Sequence, residues 1–264
     1  MTTAEMLLLA ADAFDLRATV LSHGGYLLPP CTWTGGARPT LQRVERLEDR
    51  GIYLVRLRPA PKGDGVVMRV TGPDADQVES LAPLAVRMRR VLQLDERFDA
   101  FRTVCRRQPA LRPIAQLGLG RMLRGATLFE DIVNAIAPTT AIGRLGQLGS
   151  PCAASRRDRA FPTPAQIVRA GEDVLRDRVR LGSRAKLIGR LAREVCEGLR
   201  DLEQLDAQAA RMPLNDLTAA LTDIRVEPSA VEWLLLLLGR SEGLARWFEQ
   251  WLASGHPGVD ELRR

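Results

Sequence analysis

Lysine is almost absent from this 264-residue chain. Lys62 and Lys186 are the only two among 38 basic residues, so arginine carries the positive charge. Cysteine is scarce too: Cys31, Cys105, Cys152 and Cys196 stand far apart with no C-x-x-C pair. That spacing supports neither a zinc site nor an iron–sulfur cluster and suits single core thiols in a reducing compartment, so no metal and no cofactor is expected. Long apolar runs are also missing. Leu234 to Leu238 lie in a stretch well below the ~18 residues that suggest a membrane span. Leu7 to Ala11 lack the basic flank and the length of a signal peptide. The expectation is a cytoplasmic protein with no membrane association.

The length is enough to bury a core in one domain or in two closely packed ones. A net charge of +6 with a pI near 9.7 fits a polyanionic partner. It fits equally a bland basic surface produced by arginine-rich coding. Residues 14 to 71 read as an antiparallel sheet. Phe14 to Leu21, Thr40 to Leu47, Ile52 to Arg58 and Val66 to Thr71 are short runs separated by turn-forming GG, EDRG and PKGDG. From Asp74 the period becomes helical: Val78, Leu81, Leu84, Ala85, Met88, Val91 and Leu92 form one stripe. Asp95 is read as the cap of a following helix bearing Phe98, Phe101, Val104 and Cys105.

Further on, Thr127 and Glu130 have the spacing of a capping box, and Thr163-Pro164 opens another helix. Residues 143 to 160, rich in Gly, Ser, Ala and Arg, read as a mobile basic loop. Leu214 to Trp247 then form two apolar-faced helices joined at Ile224-Arg225-Val226-Glu227-Pro228, with a turn into a third. Pro228 suits the first helical turn and Gly239 a C-terminal cap.

Four segments resemble the helix-hairpin-helix DNA glycosylases of the alkylpurine and 8-oxoguanine branch. They are Ser22-His23-Gly24-Gly25-Tyr26-Leu27-Leu28-Pro29-Pro30-Cys31-Thr32-Trp33, Gly118 to Val133, Leu181 to Leu187, and the 214–247 hairpin ending in Leu237-Leu238-Gly239-Arg240. The resemblance implies an α+β protein: residues 1–92 as an N-terminal antiparallel sheet lobe with a linking helix, and 93–264 as an all-helical lobe containing the hairpin. It implies a monomer that binds double-stranded DNA and is nucleoid-associated when bound. His23, Tyr26, Trp33, Phe129 and Trp247 become base-pocket candidates. Arg121, Arg124, Thr139, Thr140, Arg144, Arg184, Lys186, Arg225, Val226 and Ser229 become DNA-contact candidates.

The departures cluster where such enzymes touch DNA or do chemistry. Both hairpin glycines are gone. The position of the catalytic Asp, seven residues beyond Arg240, is Trp247, which can neither stabilise a sugar cation nor activate water. Thr140 stands at the wedge asparagine, Gly143 at a tryptophan and Ser183 at a tyrosine, and no lysine lies in the hairpin. Three readings stand: a DNA-binding glycosylase relative with lost chemistry, an active glycosylase with its carboxylate moved to Glu242 or Glu249, and a protein-interaction module, favoured by Glu227 at the phosphate-facing turn. Under the first, Trp247→Asp alone restores little or no base excision, because hairpin and wedge have changed as well. Robust release of free base by that single variant from duplex carrying alkylated purine or 8-oxoguanine overturns the first reading.

Overall fold

The computed structural model describes residues 1–116 and 119–240. Its N-terminal part is a five-stranded antiparallel sheet of β1 (Thr2–Leu9), β2 (Cys31–Thr34), β3 (Thr40–Leu47), β4 (Gly51–Pro59) and β5 (Gly65–Gly72), in the order β1-β5-β4-β3-β2. Side chains alternate across the pleat, so Tyr53, Val55 and Leu57 face one way and Leu54 the other. The first set, with Leu41, Val66, Met68 and Val70, packs against the apolar face of an α-helix. β1 is an addition to the sequence reading: its Leu7-Leu8-Leu9 end blurs the alternation, and its register, Thr2 opposite Gly72 through Leu9 opposite Gly65, is set by a partner distant in sequence. Leu16 to Val20, expected as strand, is instead the short helix α1, because the Asp15 carboxylate accepts the Ala18 N–H at 2.7 Å as an N-cap.

The helices follow as α2 (Val78–Val91), α3 (Asp99–Arg107), α4 (Arg112–Gln116), α5 (Leu128–Ile136), α6 (Thr139–Gly146), α7 (Pro164–Ala170), α8 (Arg184–Cys196), α9 (Leu202–Gln208), α10 (Leu214–Asp223) and α11 (Pro228–Leu237). Asp95 does not cap α3; it pairs with Arg89. The α3 entry is fixed from afar, by the Asp12 carboxylate accepting the Phe98 N–H at 2.8 Å and bonding Arg102. Residues 143–160 are not a loop. α6 runs to Gly146, and β6 (Pro151–Cys152) pairs with β7 (Ser155–Arg159) in a hairpin. Its Cys152, with Ala160 just beyond, covers Val44 and Leu54 on the second face of the sheet. Cys105 and Cys152 are the buried thiols, Cys31 is half-buried, and Cys196 is exposed rather than core.

A second core gathers Ile132, Val133, Ile142, Ile167, Ile188, Leu191, Leu217, Leu221 and Leu234 among the helices. Helix α11 is buried nearly all round, as its composition requires. Pro228 begins it, and Gly239 follows it at φ +76°, a left-handed turn that glycine takes without strain.

Charge joins the two parts. Arg43 of β3 is 2% exposed; its guanidinium donates to both Glu130 oxygens at 3.0 and 3.1 Å and to Glu45 at 2.8 Å, while Arg87 of α2 lies 3.5 Å from Glu45. Beside it, Arg90 of α2 and Arg124 share Asp131 of α5 and Asp206 of α9: Arg90 at 2.8 and 2.5 Å, Arg124 at 3.6 and 2.7 Å. Each group has two guanidiniums and two carboxylates, so each is neutral. Glu130 and Asp131, neighbours on α5, link them. Gly125 is required here: any Cβ would sit within 2.9 Å of Glu130 and Asp131 atoms, where its N–H now donates to Asp131 at 2.6 Å.

Removing one partner strands the other as a buried charge. Arg43→Met is expected to lower unfolding free energy by about 3–5 kcal/mol in urea. Arg43→Met with Glu130→Gln should cost clearly less than the sum of the two single variants; full additivity refutes the coupling.

Candidate functional site

Between the sheet part and the helices lies a cavity of about 360 Å³, within the ~300–1,000 Å³ range of ligand pockets. His23, Pro29, Cys31, Arg43, Asn134 and Trp233 are among its walls. Each comes from a different constraint. His23 follows α1; its Nε2–H donates to the Leu123 carbonyl at 2.7 Å, and its ring meets Trp233 edge to face, with centroids 5.2 Å apart. Trp233 is carried by α11, whose end is held by Gln93: the Gln93 amide donates to the Leu237 carbonyl at 3.1 Å and accepts the Met122 N–H at 3.0 Å. Asn134 of α5 presents an amide whose Oδ1 is buried without a hydrogen-bond partner. Arg43 donates to the Cys31 thiol at 3.2 Å.

The carboxylates in this wall are committed to structure. Both Glu130 oxygens accept from Arg43, and Oε2 also takes the Ala126 N–H at 2.9 Å. Thr127 still caps α5 by accepting the Glu130 N–H, but the expected reciprocal half of the box is diverted to Arg43 and Ala126. Burial pushes the Glu130 carboxyl up, with Arg43 pulling the other way. Asp131 is held by Gly125 and Arg90. Neither group has the freedom that a general acid or base needs. Among the described residues, no cluster of three His, Cys, Asp or Glu could hold a metal, and no helix is long and apolar enough to cross a membrane.

The hairpin is the second feature. α10 and α11 meet at a turn in which Ile224 and Val226 are buried while Arg225, Glu227 and Ser229 are exposed. Arg225 sits at φ +65°. A side-chain-bearing residue pays on the order of 1 kcal/mol for that conformation.

The structure distributes the sequence candidates unevenly. Of the base-pocket candidates among the described residues, His23 alone lines the cavity; Tyr26 and Trp33 pack against the sheet core and Phe129 is buried among the helices. Trp247, Glu242 and Glu249 lie outside the described residues. Arg121 and Arg124 are engaged by other groups of the protein. Arg121 is 4% exposed, donates to the Gln93 and Glu96 carbonyls and stacks over Phe98 at 4.6 Å, and Arg124 belongs to the Asp131–Asp206 group. Thr139 stands exposed at the cavity rim, Thr140 is exposed and its carbonyl accepts Arg144, and Arg184 and Lys186 are exposed at the start of α8. Val226 is core. Trp233, Asn134 and Arg43 were not legible as site residues, because each sits in an apolar or alternating run that reads as packing. His23 gives the site a pH signature. Burial holds its pKa below the ordinary histidine value, against the Leu123 hydrogen bond and Asp131. Its contribution to stability is therefore full above ~6.5 and erodes as pH falls below that. Of the chain's two histidines, NMR should show one titrating below ~6.5 and vanishing in His23→Gln; an ordinary midpoint for both refutes the buried neutral ring.

No protein-family model matches the sequence, and no curated protein does. Solved structures do. MBOgg1 in complex with a low-affinity DNA ligand aligns with a TM-score of 0.63 at 19% identity, over 91% of this chain and 78% of that one. The Clostridium acetobutylicum 8-oxoguanine glycosylase/lyase aligns in its apo-form with a TM-score of 0.63 at 16% identity, over 88% and 77%. In complex with double-stranded DNA containing cytosine opposite 8-oxoG, it aligns at 0.60 and 14%, over 90% and 80%. The five-stranded antiparallel sheet followed by a helical region is thus an α+β fold shared with these 8-oxoguanine glycosylase structures at low sequence identity.

Proposed function

We propose that this chain is a monomeric, cytoplasmic protein that binds double-stranded DNA on a glycosylase scaffold and has lost base-excision chemistry. The observation that carries the reading is Arg225. Its strained backbone sits between two buried neighbours while its side chain is exposed at the hairpin apex, where its charge acts on Asp223 and fills no core position. Beside it Ser229 is exposed in the first turn of α11 and carries the first N–H of that helix, since Pro228 has none and the Ala230 N–H donates to the Glu227 carbonyl at 2.9 Å; helix N-termini favour phosphate. Arg225 supplies by charge what hairpin glycines would supply by close backbone approach. Thr139, Thr140, Arg144, Arg184 and Lys186 are the accompanying contacts, and DNA engagement places the protein at the nucleoid.

The loss of chemistry is supported by Trp247 at the expected acid position and by the committed state of Glu130 and Asp131 in the cavity wall. A protein-interaction role has one specific observation in its favour, the exposed Glu227 carboxylate at the α11 N-cap, which makes no capping hydrogen bond and repels phosphate. Duplex binding by fluorescence anisotropy across a salt series, with base release followed in the same samples, separates the readings. Affinity should fall steeply with salt, without release of base. Arg225→Ala should weaken binding evenly across sequences and lower the log–log slope by about one. Salt-independent or absent binding moves the assignment to a protein partner. Release of base that disappears in Glu242→Gln or Glu249→Gln makes the protein an active glycosylase.

A further inference from the structure

The two edges of the sheet are unlike. β2 is four residues long, short enough to blunt its side, whereas β1 runs eight residues in unbroken register with β5. Backbone bonding along an antiparallel strand alternates from residue to residue, so one bond fixes its phase. The Ala10 N–H donates to the Asp64 carbonyl on the β5 side at 2.9 Å, which turns the even residues of β1 toward β5 and the odd ones outward. Two bonds on the outer side agree: Arg89 donates to the Leu9 carbonyl at 3.0 Å, and the Ala11 N–H to the Leu94 carbonyl at 2.7 Å. They close the edge at that end. The outward N–H and C=O groups of Thr3, Glu5 and Leu7 remain, and among the described residues nothing bonds to them.

The usual safeguards of an open edge are absent from this stretch. β1 has no proline, lysine, arginine or bulge. Leu7 is 53% exposed, and Ala4 and Met6 are half-buried at the margin of the sheet core. The one charge of the strand, Glu5, lies on the outer face in a loose ion pair, 3.8 Å from Arg69.

We propose that β1 accepts an extended segment of a partner protein as a sixth, antiparallel strand, mainly apolar and carrying a basic residue opposite Glu5. Backbone bonds to Thr3, Glu5 and Leu7 set the register, and side chains set the choice of partner. Residues paired with Ala4 and Met6 extend the core-facing side, and the one paired with Leu7 continues the apolar patch that Leu7 forms with Val67. Charge disfavours a second copy of this chain. An antiparallel copy bonded through its own odd residues sets Glu5 against the other Glu5, a leucine or a threonine, so the carboxylate is repelled or unanswered. The surface involves neither the hairpin nor the cavity and so stands independently of DNA binding.

The test uses the full chain and an end-blocked peptide, Val-Thr-Leu-Val-Arg-Val-Thr, whose leucine faces Leu7 and whose arginine faces Glu5. In the free protein, hydrogen exchange should be fast at the amides of Thr3, Glu5 and Leu7 and slow at Ala4, Met6 and Leu8. The peptide should slow the fast set. N-methylation of its leucine and arginine, whose N–H groups face β1, should weaken binding about tenfold, while N-methylation of the valines beside the arginine should not. Glu5→Arg should weaken binding about fivefold and favour a peptide with glutamate in place of arginine. Leu7→Pro removes an N–H that the sheet does not use, so it should abolish binding with the melting temperature nearly unchanged; if that variant does not fold, the methylated peptides decide. Slow exchange at Thr3, Glu5 and Leu7 in the dilute protein alone overturns the open edge. Slowing that appears with protein concentration and no peptide makes a second copy the occupant and overturns the partner strand, as does failure of the peptide to bind or binding indifferent to the methylation pattern.

Discussion

Two neighbouring acids on one helix, Glu130 and Asp131, fix how the sheet and the helices meet. Glu130 takes Arg43 from the sheet and Asp131 takes Arg90 from α2 together with Arg124, and the charge within each group cancels. Groups buried this deeply contribute little net stability compared with well-packed apolar side chains, yet they tolerate no half-formed state. Their value is therefore geometric. The junction is either complete, with every guanidinium answered, or strongly unfavourable. The cavity inherits that rigidity because Arg43, Arg124, Glu130 and Asp131 form part of its wall.

This arrangement explains why the arginines mislead when read along the chain. Arg121, Arg124 and Arg225 are alike in a sequence, and a basic composition invites the same reading for all three. In the fold Arg121 satisfies carbonyls just beyond the end of α2, Arg124 answers two aspartates, and Arg225 alone of the three is exposed. The partners that decide between these fates lie up to 82 residues away, as with Arg124 and Asp206, so no local pattern announces them. The local signals were legible. Thr163 forms a full capping box with Gln166, Pro228 opens α11, and the sheet alternation around Tyr53 gives the right inward face. What stayed hidden were elements defined by distant partners: β1 by β5, the β6–β7 hairpin by the sheet it covers, and the α3 entry by Asp12.

The candidate site divides the same way. The hairpin was legible because its helices carry their own periodicity, and His23 because its segment resembles a known one. Trp233 was readable only as one apolar residue in a buried helix. Its meeting with His23 depends on the Gln93 clamp, in which a residue at φ +50° turns the chain out of α2 and bonds the end of α11. Cavity and hairpin are thereby carried on one element: α11 presents the apex at its start and Trp233 a turn later.

The small β6–β7 hairpin bears on how the chain is made. Gln42 and Asp158, joined across the sheet face at 2.7 Å, are 116 positions apart. During synthesis at ~5–20 residues per second, Val44 and Leu54 emerge on the order of ten seconds before Cys152 and Ala160 arrive to cover them. For that interval the nascent sheet carries a bare apolar patch on the face away from α2, between two unpaired edges. The ribosome-bound chain is in this sense a different object from the finished protein, with a demand for chaperone protection that the mature surface no longer displays.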